Sequence, residues 1–424
     1  MTSPSSSHNA DPAKAGLGAS DDLVDSSYAW FRLGICLLLM TLGNLGMWVV
    51  PVIIPAVQAE FGISRAESAL PYTLLMIGFG IGGILMGRMA DKYGLFRPLV
   101  VAACAMGLGF VLASTSTSIL GFALAHGVLI GLLGSSIAFA PLMADTALWF
   151  AKRRGVAVAI CASGNYLSGT IWPPVMQHFI ETVGWRQAYM GVGLFCAVCM
   201  LLLAPLLRRR PAAVVLMHGT SPAAHARELP FGLSPTRATV LLCVAGFSCC
   251  IAMAMPQVHI VAYCADLGYG AARGAEMLSL MLACGIVSRL VSGVICDRIG
   301  ALRTLLLGSV LQATALLMFL PFDGLVSLYL VSALFGLFQG GIVPSYTLIV
   351  RENFAPMQIG ARVGTVIMFT MLGMATGGWM SGKVFDLTGS YHAAFLNGVA
   401  WNMLNVGIVV FLLRSRKLNS SLTT

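Results

Sequence analysis

Twelve long apolar stretches dominate this chain of 424 residues. Each is long enough to cross a hydrocarbon core of about 30 Å as a helix, which needs about 20 apolar residues. The chain is 58% hydrophobic and 10% charged, whereas a soluble domain carries about 25% charged residues. We therefore predict an all-α polytopic membrane protein, with spans at 32–55, 69–89, 98–115, 118–148, 156–178, 187–207, 238–262, 274–296, 301–321, 325–350, 361–384 and 392–413.

The longest polar interruption divides the spans six and six. It runs from Arg208 to Arg237 and contains four prolines. The expected organisation is a disordered cytoplasmic tail (1–30), a first six-helix bundle (31–207), a cytoplasmic linker (208–236), a second six-helix bundle (237–415) and a short tail (416–424).

Basic residues indicate the orientation of the spans. With both termini on the same side, that side holds twenty of the lysines and arginines and the opposite side holds four. Since cytoplasmic loops are rich in Lys and Arg, both termini are expected in the cytoplasm. The expected location is the plasma membrane, or the inner membrane of a Gram-negative bacterium. The basic excess does not indicate nucleic-acid binding, because these residues lie at span ends.

A loop motif recurs in the two halves. GRMADKYGLFRP follows span 2 and GVICDRIGALRT follows span 8, with glycine, aspartate and basic residues at the same offsets. A further echo, Gly382 to Gly389, leads out of span 11. Duplicated bundles with a site between them are a recurrent plan of secondary transporters.

These loops resemble the signature loop of the major facilitator superfamily, and the resemblance covers roughly residues 30 to 415. It implies two pseudo-symmetric six-helix bundles, and loops that latch the cytoplasmic helix ends together when the protein opens outward. Two acids that close spans 4 and 10 are placed to join the latches. The alternative is that all of these are solvated loop charges. The expected latch residues are Gly87, Asp91, Lys92, Gly94, Arg97, Asp145, Gly293, Asp297, Arg298, Gly300, Arg303 and Glu352.

Arg289 is a charge in the middle of span 8. It lies about 12 Å along the helix from Asp297, near the centre of the bilayer. A guanidinium stays charged there, so it must face water, an anion or a protein acceptor. Acids lie only in tails, loops and the last turns of spans. Either Arg289 is held in place by backbone carbonyls or by an acid that reaches it from the end of a helix, or it binds one carboxylate of an anionic substrate.

Within the superfamily the chain looks most like the monocarboxylate porters and their bacterial relatives. The resemblance is carried by the segment Trp149–Gly155, by Pro256-Gln257-Val-His259 and by Arg289. It implies that Arg289 binds the substrate carboxylate. Many relatives carry a proton-coupling aspartate one turn earlier, where this chain has Gly285, and a lysine in span 1 that this chain lacks. These departures leave proton symport open.

Polar residues in the central spans are candidates for a substrate cavity, because polar groups in hydrocarbon need partners. Each could instead make a hydrogen bond between helices. With a reference pKa near 6.5, His259 could carry a proton, or it could be tied to a backbone carbonyl. Together with Arg289, the candidates are His259, Asn44, Trp48, His126, Asn165, Gln257, Gln339 and Tyr346.

The function that fits these features is secondary transport of a small organic anion, with a monocarboxylate favoured because one internal cation suits one negative charge. The alternative is an efflux permease for hydrophobic small molecules. An enzyme is disfavoured, and no nucleotide-binding loop occurs. Neither a cofactor nor a metal is expected. The expected partners are the anion and the bilayer, with a proton left open. The oligomeric state stays open, although a monomer would suffice.

Overall fold

The computed structural model describes residues 23–209, 230–355 and 358–422. Residues 1–22 of the predicted N-terminal tail and 210–229 of the predicted linker lie outside these ranges. The first helix begins at Ser27, inside the predicted N-terminal tail, and the last helix runs to Leu422, inside the predicted C-terminal tail. The described chain folds into twelve long helices and contains no strand. The helices are α1 Ser27–Phe61, α2 Arg65–Tyr93, α3 Phe96–Thr115, α4 Ile119–Leu148, α5 Arg154–Val183, α6 Trp185–Leu207, α7 Pro235–Asp266, α8 Ala271–Ile299, α9 Ala301–Met318, α10 Leu325–Asn353, α11 Ile359–Thr388 and α12 Tyr391–Leu422.

Eleven of these helices are long and apolar enough to cross a membrane. The twelfth, α5, has 30 residues and a length of about 45 Å. It is more polar than the others because Ser163, Asn165, Ser168 and Thr170 lie in its central turns. This polar helix packs against α8 of the other half. The predicted all-α membrane fold is confirmed.

Glycines let helices approach closely in the same way in both halves. A methyl group added to Gly78 of α2 would collide with the carbonyl of Gly127 in α4. In the second half, one added to Gly336 of α10 would collide with the carbonyl of Met281 in α8. The contact between α2 and α4 therefore has its counterpart between α8 and α10, as expected for a repeated bundle.

Three of the long helices are interrupted along their length: α1 at Asn44, α4 at Phe139 and α10 between Gln339 and Ile342. Part of α4 is also wound as a π-helix, Ala125–Ser135. The Asn44 side chain donates hydrogen bonds to the carbonyls of Met40 (2.8 Å) and Ala138 (3.1 Å). It thereby satisfies carbonyls at two helix breaks at once, which buried backbone groups require.

The two halves are joined at the end of the molecule opposite the termini, which we call the far side. There the Asp386 carboxylate at the end of α11 accepts the backbone N–H groups of Arg65 (2.8 Å) and Ala66 (2.9 Å) at the start of α2. The buried Arg65 guanidinium also donates to Asp266 at the end of α7, at 2.6 Å. Gly382 packs beneath this contact, since an added methyl would lie 2.8 Å from the Arg65 carbonyl oxygen.

On the side that carries both termini, which we call the terminal side, the halves part. An added methyl at Gly87 of α2 or Gly293 of α8 would meet nothing within 4 Å. Asp91 and Asp297 of the expected latch loops are exposed there.

The acids expected to join the latches have partners within their own halves. Asp145 accepts from the Arg32 guanidinium at 2.9 Å, and Glu352 accepts from the backbone N–H of Ala301 at 3.4 Å. The structure therefore joins the two halves at the far side, while these two acids bond within single halves.

Candidate functional site

The candidate site lies where α5 of the first half runs antiparallel to α8 of the second. Gly169 faces Leu282, Tyr166 faces Gly285, and Arg289 reaches the carbonyl of Ala162. From one contact to the next, the residue number rises by three or four on α8 and falls by the same amount on α5, as it must for antiparallel helices. One turn beyond Arg289, at Gly293, the contact has ended. Arg289 therefore lies at the end of the α5–α8 contact that is nearer to the terminal side, where the two halves begin to separate.

The Arg289 guanidinium is held by neutral groups. Nη1 donates to the carbonyl of Ala162 in the other half (2.9 Å), and Nε reaches the carbonyl of Gly340 at the break in α10 (3.5 Å). Among the described residues, Arg289 has no salt-bridge partner. Its Nη2 makes no hydrogen bond to that part of the chain either. The group is partly buried, so it presents unused donors to an anion.

Tyr166 forms one wall of the site. The Arg289 guanidinium carbon lies 4.4 Å from the centre of the Tyr166 ring, which is the geometry of a cation–π contact. Gly285 makes room for this ring, because an added methyl would lie 2.8 Å from Tyr166 Cε1. Sequence reasoning selected the neighbouring Asn165 and missed Tyr166. The register of α5 against α8, which identifies it, is not encoded in a local pattern.

Trp48 and Asn165 meet at the same interface. The Trp48 indole N–H donates to Asn165 Oδ1 at 2.8 Å, which joins α1 to α5. The Trp48 ring also packs on Gly169, opposite Leu282 of α8. Trp48 of α1 therefore packs against α5 where α5 meets the second half, and its hydrogen-bond partner Asn165 directly precedes Tyr166 in the chain.

Gln257 and Gln339 form a buried pair in the second half. Gln257 Nε2 donates to Gln339 Oε1 at 2.9 Å. Gln339 directly precedes Gly340, whose carbonyl faces Arg289. Within the described chain, Gln257 Oε1 and Gln339 Nε2 have no hydrogen-bond partner. The pair thus adds a spare acceptor and a spare donor next to the break in α10.

The structure does not bring every predicted residue to Arg289. His126 is fully buried in the first half, where its ring nitrogens bond the Phe122 carbonyl and the Tyr189 hydroxyl. The Tyr346 hydroxyl donates to Asn405 in the core of the second half. Asn44 serves the two helix breaks described above. These three residues make their side-chain hydrogen bonds within single halves, because each is enclosed by its own bundle.

His259 lies closer to the far side than the Arg289 site does. Its Nε2 bonds the carbonyl of Gly378 on α11 at 2.7 Å, and its Nδ1 has no partner among the described residues. Gly378 in turn packs against Tyr72 of the first half. His259 is thus placed near the closed contact between the halves and about 10 Å along α7 from Asp266.

Two six-helix halves with a candidate site at the interface between them follow the plan of secondary transporters. The Major Facilitator Superfamily model matches residues 36–326 and 240–423. The chain belongs to this superfamily.

Among curated relatives, rat monocarboxylate transporter 13 is 28% identical over 349 residues, covering 79% of this chain and 76% of the relative. The MFS-type transporter opdF of Penicillium oxalicum is 27% identical, covering 80% and 78%. The agnestins efflux protein AgnL12 of Paecilomyces divaricatus is 24% identical, covering 80% and 75%.

The fold is also similar to a solved structure. A bacterial homologue of the human lysosomal transporter Spinster, in an inward-facing and occupied conformation, matches with a TM-score of 0.68. It covers 92% of this chain and 97% of that chain at 14% identity.

Proposed function

We propose that this transporter carries a small organic anion, a monocarboxylate, and that Arg289 binds its carboxylate. The observation that carries the proposal is the environment of the Arg289 guanidinium, which contacts two carbonyls and the Tyr166 ring. Its remaining N–H donors have no partner among the described residues. A carboxylate offers the bidentate partner that suits this fork. The relatives that are named monocarboxylate transporters support the same substrate class.

Transport would proceed by alternating access, with residues 31–207 rocking against residues 237–415 around Arg289. The excess of basic residues on the terminal side supports a cytoplasmic location for that side. The structure would then be the inward-open state, with the far-side contact closed. The loops around Asp91 and Asp297 would close the cytoplasmic side in the opposite state. The membrane would be the plasma membrane, or the inner membrane in a Gram-negative cell.

Proton coupling would need a carrier other than the acid that relatives place where this chain has Gly285. His259 is our candidate, because its unpartnered Nδ1 can accept a proton. A proton that travels with the anion would make the loaded site neutral, which reduces the cost of moving charge through the bilayer.

The test is uptake of labelled acetate, propionate, lactate, pyruvate and benzoate by proteoliposomes, with and without an imposed pH gradient. Arg289→Ala should abolish uptake, and Arg289→Lys should restore little because the two-pronged grip is lost. The control is Arg273→Ala, which removes an exposed arginine from the same helix. Full uptake by Arg289→Ala, with Arg273→Ala also normal, would refute the site.

A second candidate function is efflux of a hydrophobic small molecule. The relative named as an efflux protein supports it, and the polar, partly buried site would then take the polar group of a larger compound. Accumulation of a bulky aromatic acid inside inside-out vesicles, whose outer face is the cytoplasmic one, with no transport of the short acids, would favour efflux over uptake.

A further inference from the structure

We propose that Tyr166 is a positioning residue for Arg289, and that its ring makes the site select planar carboxylates over tetrahedral oxyanions of the same size. This inference rests on the proposed function, since it assumes that Arg289 binds the anion. The inference adds Tyr166 to the site and explains a preference for carboxylates over tetrahedral oxyanions, which Arg289 alone does not provide.

The ring restricts how an anion can reach the arginine. The ring centre lies 4.4 Å from the guanidinium carbon, so the Tyr166 ring occupies one side of the cation. All five N–H donors of a guanidinium lie in its plane. The Ala162 and Gly340 carbonyls already occupy parts of the edge near Nη1 and Nε. An anion must therefore approach through the remaining edge, in the plane of the group.

A carboxylate and a sulfonate differ in what this approach requires. When a carboxylate binds both oxygens in the guanidinium plane, its carbon chain stays in that plane. When a sulfonate does so, its third oxygen and its carbon chain project to opposite faces, so one of them points to the side of the ring. The ring face carries negative charge density, which disfavours an oxygen there. A tetrahedral head group must therefore turn its carbon chain towards the ring and its third oxygen away from it, a restriction that a planar carboxylate does not meet.

Gly285 offers an independent way to disturb the ring. An added methyl would lie 2.8 Å from Tyr166 Cε1 and 3.0 Å from Cδ1, closer than side chains tolerate. Gly285→Ala should thus displace the ring from Arg289 without altering the tyrosine or the arginine. Gly191→Ala is the matched control, because a methyl there meets nothing within 4 Å.

The experiment measures equilibrium binding to the purified full-length protein in lipid nanodiscs. Each carboxylate probe is compared with the sulfonate that carries the same organic group. The pairs are acetate with methanesulfonate, propionate with ethanesulfonate, and benzoate with benzenesulfonate. The proteins are wild type, Tyr166→Phe, Tyr166→Leu, Gly285→Ala and Gly191→Ala. Circular dichroism and thermal unfolding confirm that each variant is folded. If Tyr166→Leu fails to fold, Gly285→Ala carries the test.

We expect Tyr166→Phe and Gly191→Ala to bind within about twofold of wild type, since the ring face is retained. Tyr166→Leu and Gly285→Ala should raise the carboxylate Kd about five- to thirtyfold, the range that loss of a partly buried cation–π contact produces. In the same two variants the sulfonate Kd should rise less than the carboxylate Kd, or fall. The ratio of the sulfonate Kd to the carboxylate Kd should therefore be smaller than in wild type.

Two results would overturn the proposal while Arg289 still binds carboxylate: unchanged Kd values in Tyr166→Leu and Gly285→Ala, or equal losses for both head groups. Equal losses would mean that Tyr166 only supports the fold around the site. If wild type binds none of the three carboxylates, or if Arg289→Ala binds them normally, the proposed function fails together with this inference.

Discussion

Replacing Asp386 by asparagine should loosen the far-side contact between the two halves. The carboxylate accepts two backbone N–H groups, from Arg65 at 2.8 Å and Ala66 at 2.9 Å. These are unpaired donors at the start of α2, where a negative charge is also favourable. An asparagine side chain keeps one oxygen and turns an N–H₂ donor towards the second N–H. One charge-assisted bond is lost and the other becomes neutral.

The expected size of the effect follows from these contacts. A hydrogen bond to a charged group contributes about 1.5–3 kcal/mol. The bond from Arg65 to Asp266 remains in the variant, so we expect the closed far side to lose about 2 kcal/mol. This energy corresponds to about a thirtyfold rise in the opening equilibrium.

Hydrogen exchange of the protein in nanodiscs measures this opening without knowledge of the substrate. Exchange should speed up about thirtyfold at residues 64–70 and, to a similar extent, at residues 262–269 at the end of α7. The second segment makes no bond to Asp386, so it reports separation of the halves. Asp323→Asn is the control, because it removes an exposed acid from a loop on the same side.

Faster exchange at residues 64–70 alone would refute the reasoning, since it would show only that two amides lost their acceptor. Equal exchange in Asp386→Asn and wild type would refute it as well, because the contact would then contribute nothing to closure.

Two further predictions concern packing and charge. Gly382→Ala should also open the far side, because the new methyl would lie 2.8–2.9 Å from backbone atoms of Arg65 and Ala66. The same hydrogen-exchange assay measures this opening, with Gly191→Ala as the control. Unchanged exchange at residues 262–269 would contradict the prediction. Asp145→Asn should lower the free energy of unfolding by about 3 kcal/mol, because it leaves the buried Arg32 without its counter-ion. The double variant Arg32→Met with Asp145→Leu should recover most of that loss in thermal unfolding, and a double variant less stable than the single one would count against the buried pair.

Local sequence patterns were sufficient to predict the helices and their number. The apolar spans match α1 to α12 because a helix is the structure that satisfies its own backbone in lipid. The helices extend beyond the predicted spans, as α8 does from Ala271 to Ile299. The breaks at Asn44 and Phe139 were not predicted, since they depend on contacts between α1 and α4.

For the candidate site, the sequence identified the cation but only part of its surroundings. Arg289, Trp48 and Asn165 lie at the interface between the halves. His126 and Tyr346 do not, although they too are polar groups in apolar spans. Sequence alone does not tell which face of a helix meets the other half. The same limit explains why Tyr166 was missed.

The sequence by itself determined that this protein spans the membrane as two repeated helical halves with one charge at mid-membrane, because length, apolarity and a stranded guanidinium are properties of single segments. The tertiary structure alone decided what surrounds that charge. The Tyr166 ring, the Ala162 carbonyl and the closed contact at Asp386 bring together residues far apart in the chain, and their meeting depends on how two bundles pack across an interface.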